Sequence, residues 1–346
     1  MPTPTIPAGN LFMNATLYTG TGATQAITNG VSGTSFQPDL VWVKSRSAAT
    51  DHKLTDSVRG TTKGLISNTT GAETTDTNGL TAFGTSGFTV GSDTNYNNSA
   101  ATYVGWQWKA GGTAVTNTSG SISSQVSANT TSGFSVVTYT GTGVNATVGH
   151  GLGAVPSMII VKRRNTVDGW FVYNSNIGNT DYLRLNTTAA SATFNFWQNT
   201  TPTSSVFSIS TDVSVNASSD TYVAYCWTPI DGYSAFGSYT GNALTDGPFV
   251  YTGFRPRFIM WKNSSAAEAW LIEDTARSTY NEVALELYPS SSGAEVAGSS
   301  RLPTQQFDYL SNGFKVRGAQ SQTNGSGNTI IYMAFAENPF KYANAR

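Results

Sequence analysis

Charge is what this chain has least of. Only 11% of its 346 residues are Asp, Glu, Lys or Arg, against about a quarter in an ordinary soluble protein. Twenty acidic and 19 basic residues leave a net charge of −1, and neither sign gathers into a cluster. A phosphate-tracking surface needs such a cluster, so no nucleic-acid partner is expected. Cysteine is nearly missing too. Cys226, within Tyr225-Cys226-Trp227, has no partner for an internal disulfide, and its setting predicts a small buried side chain. Stability then rests on packing. No apolar run approaches the roughly 20 residues that cross a bilayer. Residues 1–7 lack the basic and apolar regions of a signal peptide, so neither membrane insertion nor signal-directed export is expected.

Catalytic signatures are equally sparse. Of the two histidines, His150 lies in Gly149-His150-Gly151-Leu152-Gly153-Ala154, where Pro156 blocks the helix that a dinucleotide motif requires. It reads as a turn, and His52 reads as a solvated loop residue. There is no nucleophile elbow, no His-Glu-x-x-His, no paired cysteines and no phosphate-cradling loop. Asp93-Thr94-Asn95-Tyr96-Asn97 starts like a calcium loop, but Asn98 stands where glycine belongs and Val104 where the bidentate Glu belongs. Glu273 and Asp274 form the best acidic pair on an apolar strand. The corresponding strands carry Asp56 and Tyr173, so the pair looks like decoration. No catalytic residue, cofactor or metal is expected.

What the chain has is repetition. Gln37-Pro38-Asp39-Leu40-Val41-Trp42-Val43-Lys44 returns as Val155-Pro156-Ser157-Met158-Ile159-Ile160-Val161-Lys162 and as Arg255-Pro256-Arg257-Phe258-Ile259-Met260-Trp261-Lys262. Four large apolar residues in a row predict a short strand with both faces covered. The proline marks its start, and the lysine places a solvated charge at its exit. Each copy also has a Tyr-Thr-Gly turn (Tyr18, Tyr139, Tyr239), an apolar-acidic stretch, a Phe-centred strand (Phe88, Phe207, Phe314) and a polar loop. Each closes on an alternating strand whose large residues share one parity: Val104, Trp106, Trp108; Val223, Tyr225, Trp227; Ile331, Met333, Phe335.

The expected fold is all-β: three tandem antiparallel β-sandwich domains, jelly-roll or lectin-like, behind a short extended N-terminal arm. The arm takes residues 1–17 and the first repeat 18–112. A Ser/Thr/Gly-rich linker covers 113–138, the second repeat 139–237 and the third 238–346. In the arm, Leu11, Phe12 and Met13 are the candidate docking residues. Near the loops, Tyr96, Trp170, Tyr182, Trp197 and Trp270 are the candidate rings for stacking on a sugar, against the plainer role of capping open sandwich ends.

Aligned, the copies resemble a known pattern. Phe36-Gln37-Pro38-Asp39-Leu40-Val41-Trp42-Val43-Lys44, Asp56-Ser57-Val58-Arg59-Gly60, Ser86-Gly87-Phe88-Thr89-Val90-Gly91-Ser92 and the closing Ala334-Phe335-Ala336-Glu337-Asn338-Pro339-Phe340 are similar to a repeated domain of uncharacterised function. That domain occurs in virion structural and tail fibre proteins of tailed phages, especially marine bacteriophages and cyanophages. The second copy lacks the Asp-Ser-Val-Arg-Gly string. The resemblance implies a structural component on the virion surface, made in the host cytoplasm: a tail fibre or appendage, or a head decoration. The expected partners are other virion proteins, further copies of the chain in a homotrimer, and a host surface glycan.

Overall fold

The computed structural model describes residues 6, 9–30, 35–297 and 307–336, and their regular structure is almost wholly strand, in antiparallel sheets. The all-β class is therefore as expected. The first copy contains β1 (Met13–Thr19), β2 (Gln25–Thr28), β3 (Leu40–Ser45), β4 (Lys53–Asp56), β5 (Lys63–Ile66), β6 (Thr74–Thr75), β7 (Leu80–Gly84), β8 (Gly87–Val90), helix α1 (Thr94–Asn97) and β9 (Thr102–Trp108). Its larger sheet runs β1-β9-β3-β4-β5-β6, and its smaller sheet β2-β8-β7.

The second copy has β10 (Val115–Asn117), β11 (Ser124–Asn129), β12 (Phe134–Thr140), β13 (Ala146–Gly149), β14 (Met158–Arg163), β15 (Trp170–Asn174), β16 (Gly178–Arg184), β17 (Ala192–Thr193), β18 (Val206–Ile209), α2 (Val213–Asn216) and β19 (Thr221–Trp227). The third has β20 (Ser234–Thr240), β21 (Phe249–Tyr251), β22 (Pro256–Asn263), β23 (Leu271–Asp274), β24 (Leu285–Glu286), β25 (Val296–Ala297), β26 (Phe307–Leu310), β27 (Gly313–Val316), α3 (Ser321–Asn324) and β28 (Thr329–Ala336). The pairing β1-β9-β3-β4 recurs as β12-β19-β14-β15 and β20-β28-β22-β23. Even the register repeats: Leu40 faces Trp108, Met158 faces Trp227, and Phe258 faces Phe335.

Tyr-Thr-Gly closes a strand rather than opening a repeat. The boundaries drawn at 18, 139 and 238 therefore cut through β1, β12 and β20. Each tyrosine hydroxyl donates to a carbonyl of the four-residue helix (Tyr18 to Tyr96, Tyr139 to Val215, Tyr239 to Thr323, all 2.7 Å). Each following glycine is required by contact: a Cβ would lie 2.2 Å from the Asn98 carbonyl at Gly20, 2.2 Å from Ala217 at Gly141 and 2.3 Å from Gly325 at Gly241. A buried asparagine ends each helix and holds the same turn from inside. Asn216, for one, donates to the Val144 and Ser210 carbonyls and accepts from Thr142 N–H.

Two further expectations change. Of the extended arm, residues 1–5 and 7–8 lie outside the described residues. Its end is β1, paired along its whole length with β9, and Ile6 is buried. The proposed linker is also built into a sheet. Within it β10 and β11 add to the edge of β12, because small Ser, Thr and Val side chains pack as well in a strand as in a coil.

The larger sheets have cores on both faces. One face packs under the smaller sheet of its own copy: Val41, Val43 and Tyr103 meet Ile27, Phe88 and Val90, while Ile159, Val161 and Cys226 meet Val148, Phe207 and Ile209. Cys226 is buried, as its neighbours predicted. The opposite faces of all three copies share a single core that joins Trp42, Trp106 and Trp108 to Met158, Ile160, Tyr225 and Trp227 and to Phe258, Met260, Met333 and Phe335. Trp108 meets Trp227 at 6.2 Å and Phe335 at 6.0 Å between ring centroids. Those three residues hold equivalent positions, so the copies meet about one axis.

Candidate functional site

Most candidate side chains from the sequence lie in these cores. Tyr96, Trp170, Trp197 and Trp270 are each no more than 1% exposed, so they cannot stack on a sugar. Tyr96 bonds Thr55 Oγ1 beneath the smaller sheet, and Trp197 packs on Tyr173. Tyr182 is half-buried against Phe194 and Phe196 with Arg184 over its face. Sequence placed these rings near loops correctly, but loop-proximal rings cap the cores. Met13 lies in the shared core. Phe12 packs edge-on against Tyr233 with Lys109 above it, and Leu11, in a 3-10 turn, is half-buried. The proposed docking residues are thus part of the chain's own packing. The calcium-like run 93–97 forms α1, with Asp93 accepting from Asn95 N–H as its cap.

Three equivalent junctions lock the copies into a ring. The Glu73 N–H donates to the Arg164 carbonyl (2.7 Å), joining the first copy to the second. Ser191 N–H donates to Ser264 (2.9 Å), joining second to third, and Glu295 N–H donates to Arg46 (2.8 Å), joining third to first. Forked ion pairs reinforce two of them: Arg164 Nε and Nη2 on the Glu73 oxygens at 2.9 and 3.1 Å, and Arg46 on Glu295 at 2.9 and 2.8 Å. At the third, Ser191 Oγ also donates to the Ser264 carbonyl. Burial pushes the Glu73 carboxyl up, but Arg164 and Arg59 more than offset it and hold its pKa below the usual value.

A second ring runs beside the first. Trp170 Nε1 of the second copy donates to the Ile66 carbonyl of the first, and Trp270 Nε1 of the third to Arg184 of the second, both at 2.9 Å. His52 occupies the matching place in the first copy, and the third copy's Tyr288 backbone faces it. His52 is therefore not the solvated loop residue expected. It is fully buried, its Nδ1 accepts from Trp42 Nε1 at 2.9 Å, and burial together with Lys44 and Arg277 lowers its pKa well below the usual range. His150 is buried in a turn, between the Thr203 carbonyl and the Leu152 N–H.

The strand-ending lysines are not solvated either. Lys44, Lys162 and Lys262 are 0% exposed. Their side chains share a parity with Trp42, Ile160 and Met260, so they close one end of the common core. Each ammonium is held by carbonyls, and two reach across copies: Lys162 to Thr70 and Lys262 to Thr188. Burial brings each pKa down to about 8.

The acidic strand residues divide by face. Asp56 and Asp274 point into the shared core, each beside an arginine three residues on (Arg59 and Arg277). Asp56 also accepts from Tyr225 OH of the second copy, and Asp274 from Trp106 Nε1 of the first. Burial pushes the Asp274 carboxyl up, and Arg277 with these donors more than offsets it, leaving its pKa below the ordinary value. Glu273 points the other way, into the third copy's own core, with neither oxygen hydrogen-bonded among the described residues. Among the described residues no group of three or more His, Cys, Asp or Glu side chains is placed to hold a metal. A cleft of 290 Å³ beside β10 and Gly151 is lined only by uncharged residues.

One outer surface differs from its counterparts. Phe249 and Tyr251, on the third copy's smaller sheet, are 46% and 67% exposed. The same register positions hold Ala26 and Thr28 in the first copy and Thr147 and Gly149 in the second. Phe249 and Tyr251 are not among the rings expected from the sequence, since those expected lie near loops, although the internal alignment could have revealed this difference.

A family model described as a domain of unknown function (DUF7483) matches residues 8–339. The chain belongs to that family. Its model spans all three copies in one stretch. No curated protein and no solved structure matches the chain.

Proposed function

We propose that the chain is a structural protein of a virus particle. In this reading three tandem β-sandwich units are fused into one rigid block, displayed on the surface of a tailed phage in a tail fibre or appendage. The observation that carries it is the closed ring of junctions around a common core. A chain that builds its own threefold centre, with two forked ion pairs and buried lysines sealing it, is suited to bearing load and holding shape. The copies contribute matching packing positions to that centre. In this reading one chain contains the equivalent of three subunits, and its partners are neighbouring virion proteins, further copies of the chain in a homotrimer and a host surface glycan. The placement on a phage rests on the resemblance of the strings around residues 36–44, 56–60 and 86–92.

Immunogold labelling and mass spectrometry of purified particles test this. The expected result is the protein in intact particles, with label on the tail. Label over the whole head, at high copy number, would move the chain to the alternative of a head-decorating protein. Absence from washed particles would end the structural reading.

A further inference from the structure

The second copy shows how the outer edge of a smaller sheet is filled. Residues 120–122 run alongside β13: Ile122 N–H donates to the Thr147 carbonyl at 3.0 Å, Thr147 N–H donates to Ser121 Oγ at 2.8 Å, and Ile122 bridges Val148 in parallel. Ile122 joins the core there, and Val148 is 0% exposed. In the third copy β21 occupies the place of β13, with Val250 at the position of Val148 and Phe249 at that of Thr147. Val316 N–H bonds the Pro248 carbonyl and Thr252 N–H bonds Asn312, so these backbone groups face β27. The alternation of an antiparallel pair then turns the N–H and C=O of Phe249 and Tyr251 outward. Among the described residues no strand pairs with that edge.

Exposed edges are usually blunted by charge, by a bulge or by a cover. Among the described residues β21 has no charge, bulge or cover; its blunting is limited to its three-residue length and Pro248 before it, and two exposed rings flank its inward-facing Val250, itself 7% exposed. Among the described residues the first copy's edge strand β2 is also unpaired on its outer side, but Ala26 and Thr28 give an added strand little side-chain area to hold. We propose that β21 accepts an extended segment of a partner protein as a further, parallel strand. The segment has the chemistry of Gly120-Ser121-Ile122-Ser123: one β-branched apolar residue to lie beside Val250, between small residues that pass under Phe249 and Tyr251.

The probe is a fluorescent peptide with the sequence of residues 119–125, tested on the full chain by anisotropy and by amide hydrogen exchange. Saturable binding is expected, with slowed exchange at Phe249 and Tyr251. Binding should weaken about tenfold or more for Phe249→Pro, which removes an outward N–H, and for a peptide with aspartate in place of the isoleucine. Since the proline could disturb folding, the double variant Phe249→Ala/Tyr251→Thr provides a second check; it installs the first copy's residues and should also weaken binding. The proposal fails if exchange slows at Thr147 instead, or if both variants bind like the parent. It fails equally if the chain self-associates through β21, or if soluble oligosaccharides protect Phe249 and Tyr251 where the peptide does not.

Discussion

An ionised carboxylate buried without donors is among the costliest side chains a core can hold. Glu273 is 0% exposed, neither oxygen has a hydrogen-bond partner among the described residues, and Glu286 and Asp274 add like charge, with Arg277 acting in the opposite sense. Burial first, then Glu286, raises its pKa well above 4.5. A group whose folded pKa is raised contributes stability below its unfolded pKa and loses it as pH rises. Glu273→Gln should therefore match the parent near pH 4 and gain on it steadily above about 4.5. The limit for one proton is about 1.4 kcal/mol per pH unit. Urea melts from pH 4 to 8 read this directly, and a difference that did not vary with pH would contradict the assignment. The equivalent positions hold Thr55 and Tyr173, whose polar tips cost far less to bury, so this liability belongs to the third copy alone.

Among the elements, the turn after β4, β15 and β23 shows how each copy is fitted to its neighbour. Asp56-Ser57-Val58-Arg59 faces Tyr225, and Asp274-Thr275-Ala276-Arg277 faces Trp106, whose ring also lies under Arg277 at 5.5 Å. In the second copy the string becomes Asn174-Ser175-Asn176-Ile177, and the residue at the position of Tyr225 and Trp106 in the third copy is Met333. A buried acid and arginine are kept where a donor meets them and dropped where the neighbour offers a thioether. Removing the donor should be costly. Tyr225→Phe strips one bond from Asp56 and one from Arg59, both buried, and is expected to cost about 1–3 kcal/mol. The exposed Tyr280→Phe should be near neutral. Equal denaturation midpoints for the two variants would show that the Asp56–Arg59 pair needs no third partner.

For the whole molecule, the shared core sets the unit of folding. Large apolar faces from every copy are dry only when all three are present, and burying each such side chain contributes about 1.5–3 kcal/mol. The full chain should then unfold in one transition seen alike by tryptophan fluorescence and far-UV circular dichroism. A fragment of residues 111–233 would expose Met158, Ile160, Tyr225 and Trp227 together. It should bind hydrophobic dyes, aggregate, or melt without cooperativity. A fragment that melted sharply at the midpoint of the full chain would show that the copies are independent and the common core incidental.

The strand class, the threefold repetition and the burial of Cys226 were set by local pattern: period-two alternation, apolar runs of four and glycine-bounded turns recur along the chain and need no partner to be read. Even the covering of both faces of Leu40-Val41-Trp42-Val43 was visible in its lack of polar residues. What covered the second face was decided in three dimensions. A tryptophan packed under its own smaller sheet and one packed against another copy leave the same letters, so Trp170 and Trp270 looked like surface rings. The strand-ending lysines looked solvated for the same reason, since the carbonyls of Thr70 and Thr188 that hold two of them lie 92 and 74 residues away in the chain. Sequence carries contacts at short separation, and only closure of the ring supplied the others.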